Sequence, residues 1–295
     1  MKHTKLLEAG TIRVTDWRCP GGHRPWTGDE ASVGFEISFP RRGVFVRAVR
    51  GRESVCDPTC VLFFNRTEPY RVRHPVHGGD ECTVLSVSPE LLREAAAAAA
   101  PRLAAQDARF PVDQVGATAD VELLHRRLYH GTSGGTLSPE EAEELALALV
   151  ERVMARVVER CGTETSRIPL ATRRRHREMV VAALELLAAR CTDAISLSDV
   201  ADRIGCSPFH FARIFRREVG TTVVRHRNTL RLRAGLAAVM DGAPNLTGLA
   251  LDLGFSDHAH FTREFRREYG VSPSEARGRR TAGTARAVRP RRPPP

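Results

Sequence analysis

The segment from Ser196 to Gly270 writes one helical unit twice, and this duplication limits the fold more than any other feature of the chain. The first copy is SLSDVADRIGCSPFHFARIFRREVG, Ser196 to Gly220, and the second is NLTGLALDLGFSDHAHFTREFRREYG, Asn245 to Gly270, with one extra residue. Gly205 and Gly254 stand 49 positions apart, whereas Phe215-Arg216-Arg217-Glu218 and Phe265-Arg266-Arg267-Glu268 stand 50 apart. A repeat of this kind fixes architecture before any single residue does. Two copies of a short helix, a glycine turn and a basic second helix demand an all-helical domain built from two similar halves.

The local chemistry of each copy supports that reading. Ser196 and Asp199 form a capping-box pattern, and Val200, Ala201 and Ile204 make the buried side of a short helix. Gly205 ends it, where a residue without a Cβ takes positive φ cheaply. Ser207 can cap the next helix and Pro208 suits its first turn. Phe211, Ile214 and Phe215 then face the core, leaving Phe209, His210, Ala212, Arg213, Arg216 and Arg217 for the other faces. In the second copy Leu246, Leu249 and Ala250 pack the first helix and Gly254 makes the turn. Ser256 is the expected N-cap there, and Phe261 and Phe265 continue the buried face. That exposes His258, Ala259, His260, Thr262, Arg263 and Arg266. Helix, glycine turn and a second helix with basic exposed positions is a helix-turn-helix. Its Arg side chains can bond bidentately to guanine O6/N7, and its apolar ones can meet thymine methyls.

Between the copies, Val223 to Met240 is expected to form one helix, with Leu230, Leu232, Leu236 and Val239 apolar and several arginines exposed. Eighteen residues span about 27 Å at 1.5 Å per residue. Adjacent major grooves on one face of a duplex lie about 34 Å apart, so tilted reading helices on such a connector reach both.

Charge divides the chain in the same place. Residues 173–280 hold 19 Lys+Arg against 12 Asp+Glu, and the tail 281–295 adds four Arg and no acid. Residues 1–172 hold 22 basic and 23 acidic residues and are nearly neutral. A neutral front joined to a basic back points to a sensor attached to a nucleic-acid binder. No apolar run reaches the length of a membrane span, and MKHTKLLEAGTIRV lacks the apolar core of a signal peptide, so a cytoplasmic protein without a membrane partner is expected.

Residues 11–88 read as short strands. Gly34–Phe39, Gly43–Val49, Thr59–Asn65, Tyr70–His74 and Cys82–Val87 are rich in Val, Ile and Phe and are separated by turn signals. Closely spaced short strands imply a small sandwich or barrel, whose mouth is a natural small-ligand site. From Pro89 the pattern turns helical. Ser138-Pro139-Glu140-Glu141 opens a helix to Arg160 whose broad apolar stripe, including Leu145, Leu149, Val153 and Val157, either covers the barrel or pairs with a second subunit as a homodimer.

The chain is therefore read as α+β, with an N-terminal β-barrel and flanking helices over 1–160, a linker at 161–172, a double helix-turn-helix domain over 173–278, and a disordered basic tail at 279–295. The segments ADRIGCSPFHFARIFRREVG, RLRAGLAAVM and ALDLGFSDHAHFTREFRREYGVSPSEAR resemble the AraC/XylS family of bacterial transcription regulators. The resemblance implies base-reading positions at Phe209, Ala212 and Arg213 in the first unit. In the second it implies His258, Ala259, His260, Thr262 and Arg263, while Arg216, with Arg217, Arg266 and Arg267, reads as a phosphate contact or an exposed charge and not as a base reader. It also implies a cupin-like effector domain in front, double-stranded DNA and a small molecule as partners, and RNA polymerase as a further partner for an activator. The connector departs from the family's proline, aromatic and leucine, having Val223, His226 and Arg227.

His23, Trp26, His74 and His77 are the effector-site candidates. No well-spaced carboxylate completes a metal set with His74 and His77, so neither metal nor cofactor is expected. Seven cysteines without a CxxC read as reduced thiols, Cys56 and Cys60 being the closest pair. The competing reading is a cupin-type enzyme or a cysteine-based sensor fused to a DNA reader. The absence of a metal triad and of a Cys/His cluster argues against it, and no catalytic residue is assigned.

Overall fold

A computed structural model describes residues 2–21, 25–75, 78–99, 109–161 and 170–278. The expected strand-rich front consists of two facing antiparallel sheets. Its strands are β1 (Lys2–Ala9), β2 (Ile12–Cys19), β3 (Glu30–Ala31), β4 (Phe35–Gly43), β5 (Phe45–Val49), β6 (Arg52–Cys56), β7 (Cys60–Phe64), β8 (Pro69–Arg73), β9 (Asp80–Val87) and β10 (Gln114–Gly116). One sheet has the order β1-β2-β9-β4-β7-β10 and the other β3-β8-β5-β6. Period-2 alternation gives the larger sheet two apolar faces. Ile12, Val14, Ile37, Phe39, Leu85 and Val87 point to one side, and Trp17, Cys82 and Val84 point to the space between the sheets. The chain passes from one sheet to the other at Gly43, just after an irregularity between Pro40 and Arg42 in the β4–β9 ladder.

Among the described residues, three helices cover the outer face of the larger sheet: α1 (Pro89–Ala99), α2 (Ala119–Ser133) and α3 (Pro139–Cys161). The α3 stripe had two readings, and its surroundings decide between them. Ala142, Ala146, Leu149, Val150, Val153, Met154 and Val157 are all buried in one core with the sheet residues, so the stripe covers the sheet. Ser138 caps this helix with Glu141, each side chain bonding the other residue's backbone N–H at 3.2 and 2.9 Å.

Among the described residues the back of the chain holds helices and no strand: α4 (Leu170–Ala189), α5 (Leu197–Ile204), α6 (Pro208–Val219), α7 (Val223–Met240), α8 (Leu246–Asp252), α9 (His258–Tyr269) and α10 (Pro273–Gly278). Two cores flank α7. One joins α4 to α6 through Ala183, Leu187, Val200, Phe211 and Phe215, and the other joins α7 to α10 through Leu236, Val239, Phe261 and Phe265. Most of the expected linker (162–169) and the expected disordered tail (279–295) lie outside the described residues. No helix among the described residues is long and apolar enough to cross a membrane.

Front and back meet along an extensive seam. Val181, Leu184 and Ala188 of α4 pack on Val46 and Val55 of the smaller sheet and on the neighbouring Val44 and Trp26. Ala119 and Leu123 of α2 pack against the second helical core. Polar ties cross the same seam. Arg73 pairs with Glu185 at 2.6 Å, His226 Nε2 lies 3.6 Å from Asp57 Oδ2, and Arg233 Nη2 donates to the Ala117 carbonyl at 2.7 Å.

Candidate nucleic-acid interface

Each repeated unit folds as its sequence directs, through caps that satisfy helix ends. The Asp199 N–H donates to Ser196 Oγ at 3.1 Å and the Ser196 N–H donates to Asp199 Oδ2 at 2.8 Å, completing the capping box. Gly205 takes φ of 76°, and Ser207 Oγ accepts from the His210 N–H at 3.3 Å to start α6 behind Pro208. Phe211, Ile214 and Phe215 are buried, so the opposite side of α6 is left to solvent. There Phe209, Ala212, Arg213 and Arg216 follow one another at i, i+3, i+4 and i+7, which places them on a single face. Phe209 is 78% exposed, an unusual setting for a phenyl ring.

The second unit is similar with one correction. The N-cap of α9 is Asp257, not Ser256: its Oδ1 accepts from the His260 N–H at 2.6 Å. That bond is the leading cause holding the Asp257 carboxyl below the usual range. The added residue of this copy shifts the helix start by one position, and Ser256 is freed for another task. Its hydroxyl lies 3.0 Å from His260 Nδ1, and the His260 ring stands edge-on to Phe255. His260 is thereby held against the turn, apart from the exposed face. His258, Ala259, Thr262, Arg263 and Arg266 share that face, with His258 Nε2 and Thr262 Oγ1 3.4 Å apart.

The arginines sort by partner. Arg217 bonds Glu218 at 2.9 Å and His176 at 2.7 Å, and Arg267 pairs with Glu264. Arg213, Arg216, Arg263 and Arg266 are exposed and have no ion-pair partner among the described residues. These four leave both reading faces positively charged and open.

Connector α7 fixes how the two faces sit. Several of its arginines were expected at the surface, and Arg225 is exposed, but Arg231 and Arg233 are buried, at 7% and 1% exposure. The reason is that α7 is enclosed on several sides, by α4, by α9 and by α2 of the front domain. Arg231 ties the two units together through backbone carbonyls. Its Nε donates to Cys191 O at 2.6 Å, Nη1 to Gly254 O at 2.8 Å, and Nη2 to Asp193 O at 3.1 Å and Thr192 O at 3.3 Å. Gly254 must be glycine for this approach: besides its φ of 79°, a Cβ there would lie 2.5 Å from Thr192 O. Gly235 similarly lets Phe261 come against the connector, where a Cβ would meet its ring at 2.9 Å. Residues of this kind escape a periodicity search, although two arginines inside an apolar helix were the available signal.

A cavity of about 630 Å³ lies between the two sheets of the front domain. Trp17, Phe45, Phe64, Tyr70, Val72 and Val84 supply its apolar wall, and Lys5, Arg13, Glu36 and Ser38 its polar positions. Burial raises the Glu36 carboxyl above the usual range. Of the effector candidates, His74 lines this cavity. Trp26 does not: it lies in the seam against the smaller sheet and α4, with Arg71 and Arg73 over its ring. His23 and His77 lie outside the described residues. Cys56 and Cys60 are buried, and burial pushes the Cys56 thiol up to about 12 and the Cys60 thiol well above its ordinary value. Thiols held neutral in this way are poor nucleophiles.

Two helix-turn-helix units on a shared connector, each with an open basic face, define a bipartite DNA-binding domain. Residues 200–279 match the family described as "Helix-turn-helix domain". The chain is 31% identical over 153 residues to the HTH-type transcriptional regulator ArgR of Pseudomonas aeruginosa, covering 50% of this chain and 45% of that one. It is 36% identical over 90 residues to the HTH-type transcriptional activator RhaS of Escherichia fergusonii, covering 30% of this chain and 32% of that one. It is 25% identical over 251 residues to the arabinose operon regulatory protein of Escherichia coli K12, covering 83% and 80%. The first two matches thus span less than half of those relatives' lengths. Among solved structures, an apo ToxT variant of Vibrio cholerae aligns with 92% of this chain and 98% of its own at 10% identity and a TM-score of 0.38. The back of this chain is a helix-turn-helix domain, similar to those of the named regulators.

An Arg263→Ala variant is expected to lose about 1–3 kcal/mol of binding to the preferred sequence and to relax preference at one base pair. Titration against a panel of single-base variants measures both effects. An equal loss on every sequence would assign Arg263 to phosphate instead.

Proposed function

We propose that the chain is a sequence-specific transcription regulator that reads two successive major grooves and is controlled by a small molecule in its front-domain cavity. The observation that carries this reading is the pair of exposed basic faces on α6 and α9, held by one buried connector. Phe209, Ala212 and Arg213 read one groove, with Arg216 on phosphate, and His258, Ala259, Thr262 and Arg263 read the other. The first face is the more apolar and favours thymine methyls, while the second offers more hydrogen-bonding groups. His260 acts on this face through its hold on the turn. The names of the matched relatives, all regulators or activators of transcription, support the same reading and a cytoplasmic site of action.

The cavity has the volume and mixed lining of a small-molecule site. The seam of α4 on the smaller sheet and of α2 on the helical core gives its occupancy a route to the DNA-reading half. RNA polymerase is the further partner if the chain activates, and a homodimer would form on a surface other than the buried α3 stripe. The boundaries follow from the same scheme: a sensor over 1–160, a linker at 161–172, the DNA reader over 173–278 and a basic tail from 279.

Selection of bound sequences from a random duplex pool by the full chain tests the proposal. Two base-specific windows are expected, centred about 10 base pairs apart, with affinity falling steeply as salt rises. A single window, or binding without sequence preference, would sink it.

A further inference from the structure

We propose that the floor of the front-domain cavity is a binding site for a zinc-class divalent cation, with Cys19, His74 and Asp80 as its protein ligands. The thiol, one imidazole nitrogen and one carboxylate oxygen of these residues all lie within 4.8 Å of one another. All three side chains are buried and all three line the cavity. His74 Nε2 is 2.6 Å from Asp80 Oδ1, and the Cys82 thiol donates to Asp80 Oδ2 at 3.3 Å, which orients the carboxylate from behind.

The backbone brings these groups together by unusually close approach. Cys19 ends β2, Asp80 begins β9 and His74 follows β8, so three strand ends converge. They converge because glycine stands at each crossing. A Cβ on Gly79 would lie 1.9 Å from Cys19 O, one on Gly21 would lie 2.4 Å from Gly79 Cα, and one on Gly43 would lie 2.1 Å from Gly79 O. Gly21, Gly43 and Gly79 all have positive φ, at 60°, 84° and 66°. An ordinary turn in this place would hold the thiol and the carboxylate farther apart.

The donor set selects the ion. Thiolate, imidazole and carboxylate together suit a borderline divalent cation, zinc above all, whereas magnesium and calcium call for oxygen alone. Metal–ligand bonds of about 2.0–2.3 Å in a tetrahedron put ligand atoms about 3.3–3.8 Å apart, so the widest pair closes by roughly 1.5 Å at most, while His74 and Asp80, now hydrogen-bonded at 2.6 Å, exchange that bond for the metal and move apart by about 0.7 Å. Binding releases the Cys19 thiol proton to solvent as the sulfur–metal bond forms, so affinity rises with pH. Three protein ligands leave the fourth position to water or to an anionic group of a molecule in the cavity. Such a site would place a Lewis acid in the cavity, with Asp80 as the carboxylate whose spacing along the chain did not single it out. The proposal does not depend on how the chain reads DNA.

Cobalt(II) titration of the metal-free full chain is the test. One equivalent should bind with a thiolate-to-cobalt charge-transfer absorption, and Cys19→Ser should abolish that absorption and weaken binding at least tenfold. Cys161→Ser, at an exposed cysteine that does not line the cavity, should leave both unchanged. No charge-transfer absorption in the folded wild type, or its survival in Cys19→Ser, would overturn the proposal. Should Cys19→Ser fail to fold, X-ray absorption of the zinc-loaded wild type decides. A shell of one sulfur with nitrogen and oxygen supports the site, and a shell with no sulfur or with several overturns it.

Discussion

Arg231→Ala is expected to destabilise the DNA-binding domain by about 3–5 kcal/mol, because it removes several charge-assisted hydrogen bonds and strands buried carbonyls. The loss should exceed that of any single exposed arginine, since Arg231 alone bonds Cys191, Thr192 and Asp193 on one side and Gly254 on the other. Arg231→Lys should recover less than half of it. An ammonium keeps the charge but cannot reach both segments with a planar fork. Urea denaturation followed by helical circular dichroism measures the effect, and a loss below about 1 kcal/mol would show that the tie is redundant. DNA binding at low temperature, where the variant is still folded, should lose sequence preference more than overall affinity. The two reading faces would remain basic while their mutual orientation slackened.

Glu122→Gln should cost a comparable amount for an electrostatic reason. Glu122 lies on α2 of the front domain at 2% exposure, bonded by Arg126 Nε at 2.8 Å, with Arg233 of the connector among its charged neighbours. Burial alone would raise its pKa, but Arg126 foremost, with His125 and Arg233, holds the carboxyl far below the usual range. Neutralising it leaves the buried Arg126 guanidinium without its ion-pair partner and removes one of the charges that balance Arg233, a loss on the order of 3–5 kcal/mol. A pH dependence accompanies this cluster. Burial lowers His125 from 6.5 to about 4, so the folded chain keeps it neutral while the unfolded chain takes up a proton. Stability should therefore fall as pH drops from 6.5 towards 4, by up to about 1.4 kcal/mol per unit for one proton. The depressed pKa of Glu122 adds a further loss below its ordinary value of 4.5. Urea melts between about pH 7 and pH 4.5 test this, and His125→Gln should flatten the upper part of the curve.

These effects sit unevenly with respect to what the residues announced beforehand. The capping box at Ser196 and Asp199, the left-handed Gly205, and the Ser207-Pro208 start of α6 were readable because each is a local rule with a local signature. The same holds for α7, whose expected and observed bounds are both Val223–Met240. Capping of α9 was read one residue early, since Ser256 and Asp257 are both competent caps and only the folded turn chooses. Burial of Arg231 and Arg233 was missed because it depends on what surrounds the connector, which periodicity along one helix does not report. The α3 stripe left two readings open for the same reason. Convergence of Cys19 with His74 and Asp80 was still less accessible. It joins positions more than fifty residues apart, and only the paired strands and three close-packed glycines bring them together. β1 was missed as well, lying ahead of the region whose alternation was read.

The Arg231 tie has a consequence for how such a domain can change over generations. All four of its acceptors are main-chain carbonyls, which every residue type supplies. Substitutions at 191, 192 and 193 can therefore drift without any compensating change at 231. Pairwise covariation would record no coupling here, even though the connection organises the whole domain. Its trace would instead be two solitary invariants, an arginine at 231 and a glycine at 254, whose dependence on each other only a folded chain reveals.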